Sequence, residues 1–396
     1  MAPRRRILAI IVLALWLLSG GLLISDAAFT DGSFEGAAAP YRFGLPGWEG
    51  KNLIGMGKAR IGRLFHGPSS RDLWAVEEYF RQAREIRRLE RQLVQGTGGW
   101  GDVVENLERA REARARLEER VEAVLGGQIA DVLAREGLSL SPVGRPLLPP
   151  LAFEFDSPPL LLVDSPRGRI ELRNAAVLKP GLTSREIEEI EARVEGLGGS
   201  ALVERLGGIA TYPSLVPETT TLERALSTIA HEWLHHYLFF NPLGRRYGQS
   251  REMTTINETA ANMGGNEIGR EALRRFWRRE PREEEVKPQG AFDFDREMRN
   301  IRLAVDSYLA RGEVEKAEDF MGERRGYLAE QGYFIRRLNQ AYFAYHGTYA
   351  DSAASTNPIG PQLKVLRERS ASLGVFIRTV SRLSSYEELK GMVGKG

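Results

Sequence analysis

The sequence predicts an α+β protein: an antiparallel helical hairpin, then a small mixed sheet, then a mainly helical C-terminal part. Three observations predict it. Apolar residues recur at spacings of three and four between about residues 69 and 124, broken once by "QGTGGWGD". From Ser139 the texture changes to short apolar or alternating runs separated by Pro, Gly and Asp, as in "LAFEFDSPPLLLVDSPRGRIELRNAAVLK". After Pro217 the chain reads as helix almost to its end.

The 396 residues hold 55 basic and 53 acidic side chains, intermixed along the chain, so no nucleic-acid footprint is expected. There is no cysteine, which excludes disulfides, thiolate zinc sites and Cys nucleophiles and leaves any metal to His, Asp or Glu. Residues 1–28 read as a signal-anchor or a signal peptide. Arg4, Arg5 and Arg6 precede an uncharged run from Ile7 to Ile24, near the lower limit for a helix crossing a membrane. An uncleaved single-pass anchor is favoured, with the N-terminus cytoplasmic and the remainder extracytoplasmic. Cleavage after the small residues around Ser25 and Ala27 would make the protein secreted instead.

Residues 29–67 are rich in Gly, Pro and Ala and read as a linker. Residues 68–138 form the hairpin. Its first helix is capped by Ser69 or Ser70 and carries Leu73, Val76, Phe80, Ile86 and Leu89 on one stripe; its second starts near Asp102 and carries Val103, Leu107, Ala110, Leu117, Val121 and Val124. Arg alternates with Glu on the other faces, as on a solvated surface. Residues 69–137 are also the place for a helical partner, should one exist. In residues 139–396, strands precede a helix over "SREIEEIEARVEGL", and "GGIATYPSLV" is a further candidate strand.

The next helix carries the chemistry. Thr220 with Glu223 three positions on forms a candidate capping box, and Leu222, Leu226, Ile229, Trp233 and Tyr237 recur at helical spacing until Asn241 and Pro242 stop it. His231 and His235 are therefore one turn apart and can share a metal ion, while Glu232 can reach a water at that metal as general base. His236 points about 100° away from His235 and is expected to be solvated. Three protein ligands and one open position suit a catalytic zinc, Zn2+. Glu258, 23 positions after His235 in "MTTINETAANMGGNEIG", offers the third ligand on the following helix. Asn262, one turn beyond Glu258, is expected to hydrogen-bond the outer nitrogen of a ligand imidazole, and small residues from Ala260 to Gly265 would let the two helices approach closely.

His231-Glu232-Trp233-Leu234-His235, followed by Asn257-Glu258 on a second helix, resembles the gluzincin branch of the zincin metallopeptidases. The segment from "LARGEVEKAEDFMG" to "AYFAYHGTY" resembles, more loosely, a family of predicted bacterial membrane-associated aminopeptidases. The resemblance implies a zincin-like fold and a zinc metallopeptidase-like domain over residues 139–396. It also implies a peptide or protein substrate held on an edge strand ahead of the active-site helix, here Ile209, Ala210, Thr211 and Tyr212. In this superfamily a Tyr or His donates to the oxyanion, and "NQAYFAYHGTYAD" supplies His346 or Tyr349. Many gluzincins carry Asp four residues after the glutamate ligand, where this chain has Asn262. An aminopeptidase would further need a carboxylate for the free amine, for which the candidate strand offers Glu218. The alternatives are a zinc hydrolase of a non-peptide amide and a non-catalytic anchored scaffold.

Overall fold

A computed structural model describes residues 33–44, 68–95, 99–141, 147–277 and 292–394. Helix α1 (Phe34–Ala38) opens the described chain, followed by a 3-10 turn, Ala39–Tyr41. The helical stretch that follows comprises α2 (Ser70–Gln95), α3 (Trp100–Ala115) and α4 (Glu118–Arg135). Strands β1 (Phe153–Asp156), β2 (Leu160–Pro166) and β3 (Asn174–Leu178) lead to α5 (Ser184–Glu195), β4 (Gly199–Arg205) and β5 (Ser214–Pro217). Thereafter all elements are helical: α6 (Leu222–Phe239), α7 (Pro242–Arg245), α8 (Arg251–Phe276), α9 (Phe294–Ala310), α10 (Val314–Glu330), α11 (Gln340–His346), α12 (Ile359–Glu368), α13 (Leu373–Val380) and α14 (Tyr386–Val393). The fold is thus mixed, mainly helical with little sheet, as an α+β class requires.

The expected single mixed sheet is two separate sheets. Strands β3, β2 and β4 form an antiparallel sheet in that order, and β1 pairs with β5 in parallel. Alternation along β2 places Leu160 and Leu162 on one face and Leu161 and Val163 on the other. The first face packs under α1 and α5, whose start is closed by a reciprocal Thr183 and Glu186 capping box. The second face carries α11 through Ala341, Tyr342 and Tyr345.

Four expectations are corrected here. Part of the predicted linker is ordered structure: Phe34, Ala37 and Ala38 are buried with the antiparallel sheet, and Phe43 N–H donates to Val177 O, so the segment shields the β3 edge. Residues 45–67 of that linker lie outside the described residues. The hairpin is three helices, not two, because the chain turns at Arg116 and Leu117. Helices α2 and α3 share a narrow stripe of Ile86, Leu89, Val103, Leu107 and Ala110, whereas α4 buries Val121, Leu125, Ile129 and Leu133 in the central core. The helix cap lies one residue later than expected, at Thr221, whose hydroxyl accepts from Arg224 N. Finally, the single-pass anchor and its extracytoplasmic placement find no support. Among the described residues no helix is long and apolar enough to cross a membrane, the 26-residue helices α2 and α8 being studded with charges, and the run from Ile7 to Ile24 lies outside the described residues.

Candidate metal centre

Helix α6 buries Leu226, Ile229, Ala230, Trp233, Leu234 and Leu238 in the central core, and Trp233 Nε1 donates to Pro149 O at 3.0 Å. That packing turns His231 and His235 toward α8 and leaves Glu232 against the 207–209 segment. The crossing is close because α8 presents glycines to α6. A side chain at Gly265 would lie 2.8 Å from Ser227 O and 2.9 Å from His231 Cβ, and one at Gly264 would lie 2.7 Å from Leu234 Cδ1. Ser250 caps α8 by accepting from Met253 N, which sets Glu258 two turns into the helix.

The candidate donor atoms lie close together. His231 Nε2 and His235 Nε2 are 3.0 Å apart, and Glu258 Oε2 lies 3.8 Å and 3.5 Å from them. Suitable atoms of His231, Glu232 and His235 all fall within 4.8 Å of one another. The His235 imidazole has an outer partner: its Nδ1 lies 2.9 Å from Asn257 Oδ1. Asn262, expected in that role, instead donates to Asp351 Oδ2 at 2.7 Å. The reason is angular: Asn257 adjoins Glu258 and faces α6, while Asn262 faces the chain beyond α11.

Burial and charge set the protonation of the cluster. Burial disfavours charge on His231, and the neighbouring His235 cation adds to it, lowering its pKa to about 4. Burial opposes charge on His235 too, but Glu258 beside it, its hydrogen bond and Glu232 raise the pKa to about 9. Glu258 is also desolvated, yet the His235 cation and the hydrogen bonds from His235 and Tyr247 pull it down to about 2. Glu232, 5% exposed, is pushed up to about 8 by burial, with Glu258 adding to the effect and His235 opposing it. A carboxyl poised near neutrality suits proton transfer.

Among the residues expected around the centre, Tyr349 is brought in: its ring centroid is 6.2 Å from that of His231, and Ala350 N–H donates to Thr259 Oγ1 of α8 at 2.9 Å. His346 is not. At the end of α11 its ring lies tilted against that of Tyr342, centroids 4.2 Å apart, and edge-on to that of Tyr345. The expected substrate strand is a turn. Ile209 exchanges backbone hydrogen bonds with Leu215, Thr211 N donates to Ile209 O, and Ala210 O lies 3.3 Å from His236 Nε2. Ala210 O is thus already engaged, Thr211 and Tyr212 are buried, and His236, expected in solvent, is buried against Tyr212. Glu218 is ion-paired with Arg114 and bonded by Ser157, holding the α3 end to β5 instead of facing the cleft.

Three contributors escaped the sequence reading. Tyr247, in the turn between α7 and α8, donates its hydroxyl to Glu258 Oε1 at 2.6 Å. Tyr345 is near enough for Glu258 and Glu232 to add to burial in raising its hydroxyl pKa. Gly208 lies against Glu232, where a side chain would come within 3.1 Å of its carboxyl carbon. Asn257 had a signal in its place beside Glu258, and Tyr345 in the aromatic run of α11; Tyr247 and Gly208 come from turns without periodicity. Scans of family models, curated proteins and solved structures return no match to this chain.

Proposed function

We propose that the chain is a metal-dependent hydrolase of amide bonds, a zinc peptidase built like the gluzincin branch of the zincins. The observation that carries the reading is the spacing of His231 Nε2, His235 Nε2 and Glu258 Oε2 at 3.0, 3.5 and 3.8 Å. Zinc bonds of about 2.0–2.1 Å at tetrahedral angles require donors about 3.4 Å apart, so the three side chains fit that ion. Two imidazoles and one carboxylate also match its ligand preference.

A zinc ion held there would supply Lewis acidity, both to a water and to the carbonyl of the scissile bond. The chain's own residues supply the rest. Glu232, adjacent to His231 and shielded from bulk water, accepts the water proton and returns it to the leaving nitrogen. Asn257 holds the His235 imidazole with its Nε2 facing that of His231. Tyr349, whose ring centroid lies 6.2 Å from that of His231, and Tyr345 on α11 would be the hydroxyl donors to negative charge developing on the carbonyl oxygen.

Metal content by mass spectrometry tests the centre, using the full chain beside a His231→Ala, His235→Ala double variant. One zinc per chain, absent from the variant, is expected. A quenched peptide library then tests the reaction: Glu232→Gln should keep its zinc and lose about 100-fold or more in rate. Full activity in zinc-loaded Glu232→Gln would remove Glu232 as the base. A zinc-loaded parent that cleaves no peptide would turn the search to other amides.

A further inference from the structure

The two oxygens of Glu258 have different partners. Oε1 accepts the Tyr247 hydroxyl at 2.6 Å, while Oε2 faces both imidazole Nε2 atoms. Tyr247 reaches this place from the surface. The residue is 39% exposed, and its ring stands nearly perpendicular to that of His235, with centroids 6.2 Å apart. The turn behind it is fastened: Gly248, at φ +76°, lets the chain reverse, and its N–H donates to Thr254 Oγ1 on α8 at 3.1 Å.

This matters because a carboxylate can hold a cation through one oxygen or through both. Two imidazoles and a two-oxygen Glu258 would fill four positions and leave none for water, whereas a hydrolytic centre needs one open. Resting on the metal reading above, we infer that Tyr247 is a positioning residue: it engages Oε1, restricts Glu258 to one-oxygen ligation and so keeps a coordination position free. A carboxylate without that hydrogen bond would be free to rotate and chelate.

The test loads the full chain and its Tyr247→Phe variant with Co2+, whose visible absorption reports the kind and geometry of its ligands. Phenylalanine keeps the ring, and melting curves of the metal-free proteins verify that both fold. One Co2+ per chain is expected in each, bound no more weakly by the variant. The variant's visible band should shift, because a second Glu258 oxygen takes the place of water, and its peptide hydrolysis should fall about 10–100-fold, the range for loss of a partner behind a metal ligand. Identical Co2+ spectra would overturn the inference whatever happens to activity. A variant that binds Co2+ more weakly with an unchanged band would also overturn it, leaving Tyr247 as a simple support for the ligand. Failure of the parent chain to bind Co2+ or zinc would instead overturn the metal reading, and this inference with it.

Discussion

Glu232 is held by what surrounds it more than by its own helix. The 207–209 segment crosses directly over its carboxyl, and a Cβ at Gly208 would lie 2.7 Å from Thr228 Cγ2 and 3.1 Å from Glu232 Cδ. Gly208→Ala should therefore displace the carboxyl without touching any ligand. Zinc content should be unchanged while hydrolysis falls on the order of 10-fold to 100-fold, the scale of an ångström's misplacement of a reacting group. The imidazoles make a separate prediction. His235 holds a proton up to about pH 9 because Glu258 sits beside it, and a cation must displace that proton to bind. Zinc affinity should therefore climb as pH rises toward 9, with about one proton released per zinc near pH 7. Calorimetry in buffers of differing ionisation enthalpy measures that release, and a pH-independent affinity would contradict the protonation assigned to His235.

Helices α6 and α8 form the closest element pair at the centre, and glycine permits it. Gly265 and Gly269 lie against the backbone at Ser227, where an added Cβ would approach Ser227 O to 2.8 Å and Ser227 N to 2.7 Å. Gly127, within α4, has no atom within 4 Å of the corresponding position. The same chemical change should thus act with opposite sign. Gly127→Ala should stabilise the protein by about 0.5–1 kcal/mol, the ordinary gain on removing glycine from a helix. Gly265→Ala has the same propensity gain but forces the helices apart, a steric cost of about 1–3 kcal/mol that should prevail. It should also weaken zinc binding, because His231 and Glu258 would separate. Urea denaturation of both variants, with zinc titration of the second, checks this pair.

The whole molecule brings a helical body and a sheet layer to the same cluster of side chains. The body supplies α6 and α8; the antiparallel sheet supports α11, which presents Tyr345, with Tyr349 just beyond it. Val203 and Ala201 turn their outward backbone groups from the β4 edge to side chains. Val203 N donates to Glu191 Oε1 at 2.7 Å, Val203 O accepts from Arg336 Nη2 at 2.8 Å, and Ala201 O accepts from Asn339 Nδ2 at 2.8 Å. That edge is accordingly sealed along these positions instead of offering them to an extended peptide. Glu191 is fully buried and depends on Arg336 and Arg337 for its countercharge. An Arg336→Ala, Arg337→Ala variant would leave the carboxylate buried and unpaired, costing about 3–5 kcal/mol. A loss below 1 kcal/mol on denaturation would show that this junction contributes little.

Much of the centre was legible because it depends on one helical turn. The four-residue spacing of His231 and His235, with Glu232 beside the first, follows from helix geometry, and small residues around Glu258 announced a close partner helix. The helical character of the chain after Pro217 and the strand-rich texture before it were legible for the same reason: local periodicity encodes them. Nonlocal choices were not. Nothing in the local pattern distinguishes Asn257 from Asn262 as the partner of His235, sends His346 to Tyr342 and Tyr349 to His231, or folds Ile209 to Tyr212 into a turn. Tyr247 reaches Glu258 through a turn whose direction is set by α7, Gly248 and the start of α8 together. The sequence alone determined which residue types are available to the centre and which two share a helix face; the tertiary structure decided the third donor's orientation, the proton partners and the cleft wall, because each depends on packing between segments that no single period relates.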